Sequence, residues 1–203
     1  GAVTARAEEP EPQRMLFLGN SITWHEYNEG VGWLQEWGMA ASAAEKDYVH
    51  LMSNDVERIT GVAPVLRVRN IFNIERVILT ADIDADAGIA ADVAFAPTVV
   101  VIAIGENFTG PSAADSATFK SQIKKLAGKF IGTAALDKIL IRAPFWSNPT
   151  QAALMKSAAE ELGVKFVDAG PLGNVAANKA TGLFPHAGVA NHPGDTGMRA
   201  LAD

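Results

Sequence analysis

Apolar residues fall along the chain in two rhythms. Short uninterrupted runs occur at 15–18 (MLFL), 98–104 (TVVVIAI), 138–142 (KILIR) and 164–167 (VKFV), with 64–68 (PVLRV) a weaker fifth. Runs of this length, rich in β-branched residues and bounded by turn-forming residues, predict strands buried in a parallel sheet. The second rhythm has a three- to four-residue period. Tyr48, Val49, Met52, Val56 and Ile59 predict an amphipathic helix within 39–59, closed by Gly61. Further helices are expected at 119–131, at 150–162 before Gly163, and between 74 and 95. A terminal helix is expected from Pro193, with the proline in its first turn. The stretch 24–37 mixes glycine with aromatic residues and reads as a loop or broken helix. The glycine-dotted 168–191 reads as a long loop. Five strands separated by helical segments predict a three-layer α/β/α sandwich around a five-stranded parallel sheet, one domain spanning 14–203.

Composition narrows the function classes. The 203 residues are 48% hydrophobic and 20% charged, as in ordinary globular domains. A formal net charge of −6 argues against a nucleic-acid backbone as partner. No apolar run approaches the roughly 18 residues of a membrane span. The absence of cysteine excludes disulfides, thiolate–zinc sites and a cysteine nucleophile. Residues 1–13 are polar and proline-bearing and are expected to form a flexible leader. Within it, Ala5-Arg6-Ala7 carries the small-x-small pattern of a signal-peptide end without a preceding hydrophobic region. Export to a periplasmic or extracellular space is the expectation, and a cytoplasmic location the alternative.

Candidate chemistry sits at strand ends. Gly19-Asn20-Ser21 follows the first strand, Gly105-Glu106-Asn107 the third, and Asn191-His192-Pro193 precedes the last helix. In a doubly wound sheet such segments meet at the carboxyl edge, where ligands bind. Ser21 has two readings: a helix N-cap, or a hydroxyl exposed in the crevice. Serine, histidine and asparagine together suit acyl transfer, in which an imidazole takes the hydroxyl proton and amides stabilise an oxyanion.

This combination resembles the SGNH hydrolases, the GDSL-type lipases and esterases, from Met15 to the C-terminus. The resemblance implies a flavodoxin-like SGNH fold, with Ser21 as nucleophile, the Asn107 amide as oxyanion donor and His192 as base. Two departures stand out. Family members usually carry aspartate three residues before the histidine, where this chain has Val189. They also place a glycine after the second strand, in an Asn-x-x-x-x-Gly context, where counting from Asn70 leads to Glu75. Glu75 is therefore a candidate acid replacing the missing aspartate, or an oxyanion-loop residue contributing its backbone N–H. The competing readings are an imidazole held by a backbone carbonyl, a bare Ser–His dyad and an inactive homologue.

Trp24, Arg142 and Trp146 are candidate substrate contacts. Trp24, with Trp33 and Trp37, would form a sugar-stacking wall unless these rings anchor the loop; Arg142 would bind a carboxylate unless solvated at its strand end. His25 and His50 read as ordinary surface or core histidines. His186 and His192 make a poor metal pair without carboxylates at ligand spacing, so neither a catalytic metal nor another cofactor is expected. Asp195 reads as an N-terminal residue of the last helix, where its charge suits the dipole. The expected activity is hydrolysis of short acyl esters, O-acetyl on a carbohydrate above all, with a small-molecule or glycan ester as partner. Rival readings are an O-acyltransferase, a carbohydrate-binding homologue without catalysis, and a nucleotide-binding flavodoxin-like protein. The last lacks the glycines of a phosphate loop. The oligomeric state is left open.

Overall fold

A computed structural model of the protein describes residues 10–203. The leader expected at 1–13 lies mostly outside them. Five strands, β1 (Arg14–Gly19), β2 (Val65–Asn70), β3 (Val99–Ala103), β4 (Lys138–Arg142) and β5 (Lys165–Val167), form one sheet in the order β2-β1-β3-β4-β5. Every pairing is parallel. The eight helices assigned among the described residues are α1 (Tyr48–Thr60), α2 (Phe72–Glu75), α3 (Ala87–Ala94), α4 (Ser116–Gly128), α5 (Pro149–Leu162), α6 (Gly170–Gly173), α7 (Ala187–Ala190) and α8 (Asp195–Ala202). The α/β sandwich expected from the sequence is the fold observed.

Strand periodicity divides the core into two layers. Leu16, Leu18, Val100, Ile102, Ile139 and Ile141 face one way and pack on α3, α4 and α5 through Ile89, Phe119, Ile123 and Met155. Met15, Phe17, Val101 and Ala103 face the other way and meet Tyr48 and Val49 of α1 and Met198 of α8. Both layers need helical cover, which explains the unbroken apolar runs within the central strands, Met15–Leu18 in β1 and Val99–Ala103 in β3. No helix among the described residues is long and apolar enough to cross a membrane.

Element boundaries differ from expectation where side chains compete with the helix. The helix expected within 39–59 begins only at Tyr48, because Asp47 caps it by accepting the His50 N–H at 2.8 Å. The other Asp47 carboxylate oxygen accepts the Gly38 N–H at 3.0 Å, and Ala40 has φ 77°, so the chain before Asp47 is bent. Only a 3-10 turn, Ala44–Lys46, forms there. Of the region between 74 and 95 only Ala87–Ala94 forms a longer helix, α3, with Asp86 capping it through the Ile89 N–H at 2.8 Å, while the single turn α2 begins earlier, at Phe72. The loop expected at 168–191 holds α6, a 3-10 turn (Ala176–Asn178) and α7. Pro193 precedes the last helix, which starts at Asp195 after the cap residue Gly194.

The turn after β1 depends on its glycine. A Cβ on Gly19 would lie 1.8 Å from Thr23 Oγ1 and 2.6 Å from Thr23 Cβ. Thr23 has little room to yield, being buried and hydrogen-bonded to the buried Tyr48 hydroxyl at 2.7 Å. Gly19→Ala is expected to destabilise the fold by at least ~1–3 kcal/mol, the usual cost of overpacking. Urea denaturation checks this, and an unchanged midpoint contradicts it.

Candidate active site

Parallel strands all deliver their carboxyl ends to one edge of the sheet. There β1 releases Gly19-Asn20-Ser21, β2 releases Asn70 and α2, and β3 releases Gly105-Glu106-Asn107. Opposite them, the segment between β5 and α8 brings His192. The result is a cleft of about 540 Å³ that Ser21, Asn107 and His192 all line. Sequence reading placed these three residues at one edge, and the structure brings them together.

Ser21 Oγ lies 2.8 Å from His192 Nε2, and His192 Nδ1 lies 2.7 Å from the Gly188 carbonyl oxygen. A carbonyl only accepts, so Nδ1 must carry the ring proton. Nε2 then presents its lone pair to the Ser21 hydroxyl, the tautomer that lets serine donate. The short helix α7 makes this possible. His186 caps it, accepting the Val189 N–H at 3.4 Å, and Val189 is buried in a satellite core with Trp33 and Ala180. Val189 therefore anchors the turn that aims the Gly188 carbonyl at the imidazole. The position where an aspartate was expected is a packing position.

His192 is 8% exposed, and burial holds its pKa down, from an ordinary 6.5 to about 4. The Gly188 carbonyl opposes the shift by favouring the charged ring, while His25 and His186 disfavour it. A carbonyl dipole supports an imidazolium less than a carboxylate would. The Trp146 ring packs perpendicular to the imidazole, with centroids 4.9 Å apart, and its Nε1 donates to the Asn191 carbonyl at 3.0 Å. Trp146, expected to contact substrate, instead braces His192 and does not line the cleft.

Glu75 does not serve as the acid. Its carboxylate is 1% exposed and accepts from Asn20 Nδ2 at 3.0 Å, Asn107 N at 3.1 Å, Asn107 Nδ2 at 2.9 Å and the Gly105 N–H. Both imidazole nitrogens are engaged elsewhere. Nor is Glu75 a backbone donor to the cleft, because its N–H bonds to the Ile71 carbonyl at 3.0 Å inside the first turn after β2. Counting from Asn70 found the right loop. It could not show that the side chain turns inward, toward the loops after β1 and β3.

Gly105 has φ 123°, which turns the chain so that its own N–H and that of Asn107 both aim at Glu75. Burial, and then the nearby Glu106, push the Glu75 pKa up, against the hydrogen bonds from Asn107 and Gly105, which favour the anion. Glu106, the variable residue of its motif, also has a structural task. It accepts from Asn20 Nδ2 at 2.8 Å, the Phe145 N–H at 3.0 Å and Arg142 Nη2 at 2.7 Å. Arg142, expected at the substrate, is 3% exposed and committed to this buried ion pair. A carboxylate 36 residues upstream in sequence was the partner that the strand-end position concealed.

The remaining candidates separate cleanly. Trp24 lines the cleft, held there by Asn70, whose Nδ2 donates to the Trp24 carbonyl at 3.0 Å. Trp33 is buried and Trp37 partly so; they donate to the His25 and Ala41 carbonyls and act as loop anchors. His50 pairs with Asp47 at 2.8 Å, and Asp195 starts α8 while accepting from Ser42 N at 2.8 Å. Asn73, passed over in the sequence, lines the cleft from α2. Its asparagine-rich context, Asn70-Ile71-Phe72-Asn73, was the available signal.

Two N–H hydrogens of the cleft-lining Ser21 and Asn107 are free to meet a ligand. The Ile22 N–H is taken by Asn20 Oδ1 at 3.2 Å, and those of Thr23 and Trp24 by the Asn20 carbonyl at 3.0 Å each. Among the described residues, the Ser21 N–H meets no acceptor. Asn107 gives one amide hydrogen to Glu75 and has a second to offer. This arrangement can activate a serine and receive a developing oxyanion.

Comparison with solved structures supports the fold assignment. A GDSL-like lipase from Bacteroides uniformis ATCC 8492 superposes with a TM-score of 0.56 at 11% identity, over 94% of this chain and 92% of that one. A carbohydrate esterase family 2 enzyme plus carbohydrate binding domain from Corynascus thermopiles (Myceliophthora fergusii) gives 0.55 at 17%, over 98% of this chain and 65% of that one. An acetyl xylan esterase from Butyrivibrio proteoclasticus gives 0.51 at 15%, over 95% and 62%. The chain thus spans less than two thirds of the length of these last two. No protein-family model and no curated protein matches the sequence. The fold is the one the SGNH resemblance implied.

Because the His192 pKa falls to about 4, the ring is neutral at pH 7. Between about pH 6.5 and pH 4 the unfolded chain binds a proton that the folded chain does not. Stability from this residue is therefore complete above that window and declines as the pH drops through it. NMR titration of the His192 ring is expected to give a midpoint near 4. A midpoint at the ordinary value contradicts the burial argument.

Proposed function

We propose that the chain is a serine esterase that removes short acyl groups, O-acetyl foremost, from a carbohydrate. The observation that carries the proposal is the 2.8 Å contact of Ser21 Oγ with a His192 ring whose tautomer the Gly188 carbonyl fixes. As Ser21 Oγ bonds to the ester carbonyl carbon, its proton passes to His192 Nε2. The carbonyl oxygen becomes an oxyanion beside the Ser21 N–H and the Asn107 amide. Collapse expels the alcohol, which takes the proton back from Nε2, and leaves an acyl-serine. Water then attacks the acyl carbon, giving a proton to His192 Nε2, and collapse returns that proton to Ser21 Oγ and releases the carboxylic acid. The imidazole partner that the missing aspartate put in doubt is supplied by the backbone, which weighs against a catalytically silent homologue.

The carbohydrate part of the reading rests on the cleft wall. Trp24 and Phe72 offer ring surface, and Asn28, Asn70 and Asn73 offer amides. That mixture matches the C–H faces and hydroxyls of a sugar better than a long acyl chain. The two structures described as a carbohydrate esterase and an acetyl xylan esterase lend support at the level of fold.

Hydrolysis of p-nitrophenyl acetate should be measurable and should vanish in Ser21→Ala. Retention of most activity in a clean Ser21→Ala preparation contradicts the nucleophile assignment. Asn107→Ala is expected to lower kcat by about 10²–10³-fold with little change in KM, the usual scale for one oxyanion donor. A raised KM at constant kcat would make Asn107 a ground-state contact instead.

A further inference from the structure

An asparagine amide can present either end to a reacting group, and its hydrogen-bond partners alone decide which. Asn107 has an acceptor-only partner. Glu75 Oε2 accepts from Asn107 Nδ2 at 2.9 Å, while Oε1 accepts from Asn20 Nδ2, the Asn107 N–H and the Gly105 N–H. Glu75 is itself buried at the end of α2 and held by these four donors. We propose that Glu75 is a positioning residue for the reaction: its carboxylate fixes the Asn107 amide so that an N–H, not the carbonyl oxygen, is presented beside Ser21. The proposal rests on the reading of Asn107 as an oxyanion donor.

The chemistry of a single-atom change makes this specific. In Glu75→Gln the three donors around the Oε1 position select the amide oxygen there. The new NH₂ group must then occupy the Oε2 position, facing the NH₂ group of Asn107. Two donors cannot pair, so Asn107 turns its amide over and offers Oδ1 to Gln. The N–H once directed to the cleft is lost, although the side-chain volume hardly changes. Ser21, His192 and the cleft walls keep their own contacts, so substrate binding is spared and transition-state stabilisation is not.

A double-mutant cycle on p-nitrophenyl acetate hydrolysis tests this, with kcat and KM measured for the wild type, Glu75→Gln, Asn107→Ala and the double variant. Glu75→Gln should lower kcat about 10²-fold with KM little changed, on the scale of one lost oxyanion donor. In the Asn107→Ala background the same change should cost less than about threefold, because its target is gone. Near-wild-type kcat in Glu75→Gln, or losses that multiply in the double variant, overturns the proposal and leaves the oxyanion reading standing. Unchanged kcat in Asn107→Ala removes the oxyanion reading and the proposal with it. Should Glu75→Gln fail to fold, the wild-type protein supplies the test by NMR. One Asn107 side-chain proton should be protected from exchange and show coupling across its hydrogen bond to the Glu75 carboxyl carbon. Two equally exchanging protons without that coupling overturn the proposal.

Discussion

One buried carboxylate ties together the loops at the carboxyl edge of the sheet. Glu75 ends α2, just after β2, and receives N–H groups from Asn20 after β1 and from Gly105 and Asn107 after β3. Burying a carboxylate costs several kcal/mol unless donors replace its water, and these donors do so. The same donors gain fixed directions in return. Asn20 cannot move without leaving Glu75 and Glu106 short of a donor, and Ser21 is the next residue. Removing one of these donors leaves a buried carboxylate oxygen short of a hydrogen bond, at a typical cost of about 1–3 kcal/mol.

The neighbouring Glu106–Arg142 pair extends that constraint across the sheet to β4. Its charges are buried at the junction of the β1, β3 and β4 ends, where Glu106 also accepts from Asn20 and the Phe145 backbone. On the other side of the cleft the support is of a different kind. His192 is held by a carbonyl from α7 and by the Trp146 ring, contacts that orient the imidazole and lend it little charge. Carboxylates thus support the loops that carry Ser21 and Asn107, whereas backbone and packing support His192.

Much of this was legible in the sequence. The five apolar runs became the five strands, because uninterrupted β-branched segments have few other stable placements. Ser21, Asn107 and His192 were legible because each follows or faces a strand end and parallel topology gathers those ends. The rest was not legible, for definite reasons. A backbone carbonyl such as that of Gly188 has no residue-type signature. Arg142 and Glu106 become partners only through β3–β4 pairing, so a charge at a strand end read as solvent-facing or ligand-binding. Trp33 and Trp24 lie in one aromatic loop, yet one is an anchor and the other a wall. Their roles depend on the loop's path, fixed by contacts such as that of Trp33 with Phe184. Asp47 shortened α1 by capping it locally, a competition that periodicity alone does not register.

The central claim is that Ser21 is an activated nucleophile despite a base with no carboxylate behind it. Incubation with a serine-directed phosphonate, followed by proteolysis and mass mapping, tests this without knowledge of the natural substrate. The account predicts a single adduct on the peptide carrying Ser21, lost in His192→Ala. An unlabelled protein, or an adduct at another hydroxyl, contradicts it.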